Sequence, residues 1–377
     1  MAFEHYIRSG KRLLRCGFTT GTCAALASQG ATKLLLTGRP PQFVDVMTPK
    51  GLKVEVRPEF CYLSDDNTAL CGVKKDAGDD SDVTDGITVI ASVQRTADSR
   101  IMIDGGEGVG RVTKPGLDQP VGAAAINRVP REMIEDDVRK VALENGYKGG
   151  VKVIISVPDG EKAAKKTFNP RMGIIGGISI IGTSGIVEPM SEQAIIDTVE
   201  LEMRQARVAG SDGLILTPGN YGMDFIRANG MDKRGFPVVK CSNFIGDALD
   251  GAAGLGFKKV LLVGHAGKLV KLAGGIMNTH SRYADSRMEL FCAHAAICGA
   301  GSDICRELMD CAATDACIEI LDRADMRDAV MESIMAAIQN YLERRAEGAY
   351  EIGAVMFSNV YGLLGKTKTA DNLLIGD

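Results

Sequence analysis

Two α/β domains in tandem are what this sequence predicts, and three observations predict them. The chain has 377 residues, more than one ordinary domain holds and enough for two that each bury a core. Its first half bunches strand patterns around few helical ones, as in an α+β domain. From about Gly176 strand and helix patterns alternate, which in a right-handed parallel sheet gives a Rossmann-like domain. Domains are therefore expected at residues 1–175 and 176–377.

In the first domain, small and apolar residues from Thr22 to Thr37 predict a helix, capped by threonines and stopped by Gly38 before Pro40 and Pro41. "FVDVMT", the turn "PKG" and "LKVEVRP" alternate apolar with polar and predict a hairpin. Strands follow at Ala69 to Lys74, Ile87 to Val93 and Arg100 to Ile103, then a helix from Arg131 to Asn145 and the strand "VKVIISV".

The second domain opens with "GISIIGT". Ser191 then caps a helix with Ile195, Val199, Met203 and Ala206 on one face, ended by Gly210. "GLILT", "PVVKCS", "KKVLLVG" and "YEIGAVMFSN" complete five predicted strands separated by helices, with an expected sheet order of 3-2-1-4-5.

A net charge of −4 excludes a broad nucleic-acid-binding face, so an anionic ligand has to be held by local donors. The longest uncharged run, Met172 to Val187, is shorter than the roughly 20 residues a membrane-spanning helix needs and carries five glycines. Lys11, Arg12 and Arg15 only faintly imitate a signal peptide, because "CGFTTGTCAALAS" runs on into a helical pattern. Ten cysteines occur with no C-x-x-C pair; Cys292, Cys298, Cys305, Cys311 and Cys317 recur along helices as small reduced core residues, and a cytoplasmic protein is expected.

"IMIDGGEGVGRVTKPG" resembles the start of a dinucleotide loop, but such a loop must run straight into a helix. Val112, Thr113, Pro115 and Gly116 forbid one, which leaves Asp104 to Gly110 as a glycine-rich turn or a loop that approaches a ligand by its backbone. "GFTTGTCAA" places Thr19, Thr20 and Thr22 at a helix start, where free N–H groups suit a carboxylate or phosphate. The run Asp76, Asp79, Asp80, Asp82 and Asp85 fails the calcium-loop spacing and reads as a solvated turn, with a magnesium or cofactor-ribose contact as the alternative. No metal ligand set is predicted.

Three loops fall at predicted carboxyl ends of strands in the second domain, where open parallel sheets place ligands. They supply Gly182, Thr183 and Ser184; then Gly219, Asn220, Tyr221 and Gly222; then Gly264 and His265. All but His265 are the expected cofactor contacts, and His265 offers a directed hydrogen bond beside them. Neither "GHAGKL" nor "GLLGKT" is a Walker A motif, the first lacking Ser or Thr after Lys268 and the second an upstream glycine. Beyond them, Lys268, Lys271, His280, Arg282, Asp285 and Arg287 form a polar cluster.

Taken in order, "GFTTGTCAA", "KKDAGDDSDVTDG", "GGEGVGRVTKPGL", "AINRVPREMI", "GGISIIGTSGIVEPMS", "TPGNYG", "GHAGKLVKLAGG" and "NTHSRYADSR" resemble the signature blocks of the CbiD family, the cobalt-precorrin-5B C(1)-methyltransferases of anaerobic cobalamin synthesis. The resemblance covers the chain to about residue 290. It implies that S-adenosylmethionine donates a methyl group to carbon 1 of a cobalt-containing corrinoid, giving cobalt-precorrin-6A. It further implies a first domain similar to the ribosomal-S5 domain 2 superfold and a Rossmann-like second domain; from architecture the first is the expected substrate wall and the second the expected cofactor domain, with the glycine loop after Asp104 as a rival or second wall of the site.

A corrinoid of this kind is fringed with carboxylates, for which Thr19, Thr20, Thr22, Lys114, Arg128, Arg131, Lys268, Lys271 and Arg282 are candidate donors. Methyl transfer from a sulfonium needs alignment rather than a protein nucleophile. Where a proton acceptor is required, His265 is the first candidate and Asp104 the second. The rival readings are a small-molecule kinase built on an S5-like glycine loop and a non-catalytic corrinoid carrier. No nucleic acid or membrane partner is expected, and the oligomeric state is left open, a homo-oligomer included.

Overall fold

The computed structural model describes residues 3–9, 11–170 and 172–375. The chain divides into two compact units, Met1–Ser191 and Glu192–Asp377. The division falls after Ser191 rather than after residue 175, because the segment between them belongs to the first unit.

Unit 1 is built on a five-stranded sheet of β1 (Phe60–Asp65), β2 (Thr68–Lys74), β3 (Thr88–Thr96), β4 (Ile101–Gly105) and β5 (Gly150–Ser156), in the order β1-β2-β3-β5-β4. All neighbours are antiparallel except β5 and β4. Helices α1 (Thr20–Thr37) and α2 (Arg128–Glu144) pack together over one face. Alternation along the strands turns Ala69, Cys71 and Val73, Val89, Ala91 and Val93, and Val151, Val153 and Ile155 into one core with α1. Helix α1 starts at its threonines and ends at Gly38, whose φ of 71° is a left-handed cap that lets its N–H reach Leu34 O at 2.8 Å.

The glycine-rich stretch after β4 leads into no helix. Gly108 and Val109 pair in parallel with Gly177 and Ile178, and a Cβ on Gly108 would stand 1.8 Å from Val157 O, so the glycine serves contact between backbones. The same pairing corrects the expected strand "GISIIGT" of the second sheet. Its Ile178 and Ile180 are buried in the unit 1 core, and Ile186–Val187 pairs with Gly17–Phe18. An alternating apolar run specifies a strand but not the sheet that receives it.

Unit 2 opens with α3 (Glu192–Val208), followed by β6 (Gly213–Thr217), α4 (Asn220–Ala228), β7 (Val238–Lys240), α5 (Ile245–Gly254) and β8 (Lys259–His265). A short α6 (Ala266–Leu269) leads to four helices, α7 (Arg287–Ile297), α8 (Ser302–Met309), α9 (Thr314–Arg323) and α10 (Arg327–Ala346). The chain closes with β9 (Glu351–Ser358), β10 (Gly362–Lys366) and α11 (Lys368–Ile375).

The sheet order is β7-β6-β8-β9-β10. Counted within this unit it is 2-1-3-4-5, which corrects the expected 3-2-1-4-5: the first expected strand is absent and "GLLGK" adds a fifth. Four strands are parallel and β10 returns antiparallel, with a register shift between Met356 and Phe357. Both faces are covered. Leu214, Leu216, Val260, Leu262, Ala354 and Met356 join the core with α3, α5 and α7 to α10, while Ile215, Leu261, Val263, Val355 and Phe357 meet Ile226 of α4 and Ala370 of α11. Among the described residues no helix is long and apolar enough to cross a membrane.

Candidate functional site

The order β7-β6-β8 reverses the direction of strand addition between β6 and β8, and such a reversal opens a crevice at the carboxyl ends of the two strands. Two of the three expected loops meet there. Lys268 Nζ donates to Pro218 O at 2.5 Å, and the rings of Tyr221 and His265 lie 6.1 Å apart. From the end of β7, Lys240 Nζ donates to Asn220 Oδ1 at 3.2 Å.

Thr217 ends β6 fully buried, and its Oγ1 is one of two buried side-chain polar atoms among the described residues without a hydrogen-bond partner. Leaving such a hydroxyl unpaired costs about 1–3 kcal/mol. The first turn of α4 closes on it: a Cβ on Gly222 would stand 1.8 Å from that oxygen. Gly219 caps α4 without a side chain, so the positive end of the helix carries no built-in acceptor. The uncapped start of α4, open above Gly219 and with the unpartnered Thr217 hydroxyl beneath its first turn, forms a cradle for a polar ligand.

His265 ends β8 and caps α6, its Nδ1 accepting from Gly267 N at 3.1 Å. The ring stands edge-on to Phe357 at 5.6 Å. Burial pushes the imidazole below its ordinary value, and Asp315 only partly offsets this. A neutral ring that accepts at Nδ1 carries its proton on Nε2 and is a donor there. The geometry thus revises the role expected for His265: it has no free lone pair for a proton.

The cations beyond the crevice are engaged within unit 2. Lys271, 2 % exposed, donates to Thr279 O at 3.2 Å and Ala284 O at 2.8 Å and lies 3.8 Å from Asp285. Arg282 pairs with Glu192 at 2.6 Å, and Arg287 with Asp285. Burial lowers the Lys268 and Lys271 ammonium groups from their ordinary values. Only Lys268 of the expected donors bridges the crevice loops.

In unit 1 the expectation of open donors at the start of α1 is corrected. Thr19 Oγ1 accepts from Thr22 N, Thr22 Oγ1 donates to Gly185 O at 2.7 Å, and Thr20 Oγ1 accepts from Ile181 N at 2.9 Å. Even the N–H groups of Thr19 and Gly21 are taken, by Gly185 O and Ile181 O. Gly182 is pressed against Thr19, and Ser184 Oγ bonds Ile186 O, while Thr183 is exposed. Gly182, Thr183 and Ser184 therefore dock on α1 and end no strand of the second sheet. Asp104 binds Arg111 at 2.8 Å. Partial burial opposes its charge, but Arg111, the Gly105 N–H and Arg131 outweigh this and hold the carboxyl below its usual range, which suits an ion-pair partner rather than a base. Arg131 donates inward to Ile126 O and Ile103 O, whereas Lys114 and Arg128 are exposed, the latter paired with Glu132.

The acidic run is a structural loop. Asp76 binds Arg15, Asp79 accepts from Arg15 N, Asp80 from Met190 N and Asp85 from Ala77 N, and Asp82 pairs with the buried Lys75. Among the described residues no group of three or more His, Cys, Asp or Glu is placed to hold a metal ion.

The CbiD family profile matches residues 7–189, and that of the CbiD C-terminal domain residues 278–368. The cobalt-precorrin-5B C(1)-methyltransferase of Ruminiclostridium cellulolyticum is 48% identical over 359 residues, 95% of this chain and 92% of that protein. The chain belongs to the CbiD family. A second CbiD relative, the cobalt-precorrin-5B C(1)-methyltransferase of Alkaliphilus metalliredigens, is 41% identical over 98% of this chain and 97% of its own. The crystal structure of the cobalamin biosynthesis protein CbiD from Archaeoglobus fulgidus is 31% identical, covers 75% of this chain and 87% of its own, and superposes with a TM-score of 0.40.

The crevice loops of this CbiD chain lie between the two profile matches, inside the span shared with the full-length relatives. Lys240 was not singled out from the sequence. Its signal is a charged residue ending an apolar strand, in register with Thr217.

Proposed function

We propose that this CbiD chain is an enzyme that transfers a methyl group from S-adenosylmethionine to carbon 1 of cobalt-precorrin-5B, giving cobalt-precorrin-6A in anaerobic cobalamin synthesis. The observation that carries the reading is near-full-length identity of 48% and 41% to two proteins named for that reaction. The rival kinase and carrier readings have no comparable support.

The cofactor is assigned to the β6/β8 crevice. The residues present fit it: the unpartnered Thr217 hydroxyl is a buried polar group, and Gly219, where a Cβ would meet nothing nearer than Lys268 Nζ at 3.7 Å, leaves room for a ligand to reach the start of α4. Asn220, Tyr221 and Gly264 complete the proposed wall, with His265 Nε2–H as a donor. Bound there, S-adenosylmethionine supplies an electrophilic methyl group. The chain's part is to fix the donor's orientation and exclude water, which contributes through positioning rather than through a covalent intermediate. Exposed Lys114 and Arg128 remain our candidates for the corrinoid's carboxylates, and cobalt belongs to the substrate.

Unit 2 reads as a Rossmann-like variant in the 2-1-3-4-5 order and unit 1 as a relative of the S5-like superfold; a cytoplasmic location goes with this biosynthetic role. The test is an anaerobic incubation of the protein with cobalt-precorrin-5B and methyl-labelled S-adenosylmethionine. A corrinoid heavier by one labelled methyl group supports the reading. Unchanged pigment, with calorimetric binding of ATP and none of S-adenosylmethionine, overturns it.

A further inference from the structure

On antiparallel β1 and β2, Cys61 and Cys71 are directly opposed. Opposed residues point to the same side of a sheet, with Cα atoms about 4.5 or 5.5 Å apart according to the pair type. Both values lie within the roughly 4.4–6.8 Å that a disulfide spans.

The two sulfurs also converge on one residue of the helix above them. Cys61 Sγ donates to Gly30 O at 3.6 Å, and a Cβ on Gly30 would stand 2.5 Å from Cys71 Sγ. Glycine at this point of α1 leaves the space that the Cys71 sulfur occupies.

Exposure divides the roles. Cys71 is fully buried, whereas Cys61 is half-buried on β1, the edge strand. Interaction between the two thiols raises the Cys71 thiol from its ordinary value, with burial adding to it, and lowers that of Cys61 against partial burial. The reachable sulfur is therefore also the more readily ionised one.

We propose that Cys61 and Cys71 are a redox-active dithiol, a modification site that takes low-molecular-weight disulfides as oxidant and closes to a cross-strand disulfide. The Cys61 thiolate attacks one sulfur of the small disulfide, forming a mixed disulfide and expelling a thiolate that takes up a proton. Cys71 then loses its proton and attacks the Cys61 sulfur, which releases the second small thiolate. Two protein thiols are oxidised and one disulfide is reduced to two thiols. In a reducing compartment the bond is transient and is reversed by the same exchange.

The experiment treats the purified full chain with 2-hydroxyethyl disulfide, alkylates free thiols and cleaves before aspartate. Asp65 and Asp66 lie between the two cysteines, so a Cys61–Cys71 bond leaves two peptides joined until reduction. The other eight cysteines fall on other peptides and do not enter the reading. In the wild type both thiols are lost to alkylation and the peptides are joined. Cys71→Ala traps the mixed disulfide on Cys61, and Cys61→Ala leaves Cys71 unmodified, with circular dichroism showing each variant folded. Should one variant fail to fold, the other and the wild type still decide. A wild type that stops at a mixed disulfide on Cys61, or keeps both thiols alkylatable in excess reagent, overturns the proposal, as does Cys71 reacting in Cys61→Ala.

Discussion

Lys268 Nζ donates to Pro218 O across 2.5 Å, tying the loop after β8 to the loop after β6. Pro218 is buried, so its carbonyl has no ready substitute in solvent. Lys268→Met keeps most of the stem and removes the donor. We expect a loss of about 1–3 kcal/mol in denaturant-measured stability from the stranded acceptor. Calorimetry is expected to show S-adenosylmethionine affinity about tenfold weaker, because the two loops no longer hold one spacing. Unchanged affinity would place the cofactor elsewhere.

Thr217→Val separates ligand binding from folding. The hydroxyl has no partner in the protein, so its replacement by a methyl group of similar size is expected to raise the stability of the ligand-free protein by about 1 kcal/mol. The same change is expected to weaken S-adenosylmethionine about five- to tenfold, about 1.0–1.4 kcal/mol. Opposite signs in thermal denaturation and calorimetry mark a group kept for a ligand. A fall in both would make it structural.

Gly222→Ala places a Cβ where the Thr217 oxygen sits, at 1.8 Å, and α4 has to shift. We expect methyl transfer to fall at least tenfold with a cofactor KM rise, while far-ultraviolet circular dichroism stays native.

At the start of α1 the threonines serve folding. Gly182→Ala puts a Cβ 2.2 Å from Thr19 Oγ1 at a φ of 137°, so a stability loss of about 2–4 kcal/mol is expected. Thr20→Val strands the Ile181 N–H and is expected to cost about 1–2 kcal/mol. Cofactor affinity measured below the melting transition should not change in either variant.

The Asp137 carboxyl in unit 1 is pushed up to about 7, chiefly by burial, against the bond from Gln29 and the charge of Lys140. A carboxyl whose folded value is raised contributes stability that is full below its unfolded value, about 3.9, and is lost as pH rises through 7. Asp137→Asn, which cannot ionise, should match the wild type near pH 4 and exceed it at pH 8. The gain is about 1–2 kcal/mol, reduced from the full linkage because solvent reaches the group. Melting curves across that range check the sign.

How far the sequence carried the structure is clear from individual segments. Helix α1 was legible because threonines before an apolar run and Gly38 after it are local signals, and the strands β6, β8 and β9 because continuous apolar runs announce burial on both faces. "GISIIGT" went to the wrong sheet because partner choice is a tertiary property. Strands β1 and β10 were missed, since "FCYLSD" and "GLLGK" lie at sheet edges where half-exposed residues dilute the alternation. In the site, glycine and His265 positions followed from strand ends. That the threonines of α1 face Gly182 and Gly185, 160 residues away and more, leaves no local trace.

The second sheet ends in a stub on one side and a kinked hairpin on the other. Strand β7 has three residues, and β10 departs from regular pairing between Met356 and Phe357 and finishes on Lys366. Neither border presents a long flat ladder, so the parallel array is guarded against runaway stacking into fibrils. A chain extended or cut beyond α11 keeps that guard, whereas deletion of β10 would bare β9, whose last seven residues are all buried, and is expected to precipitate.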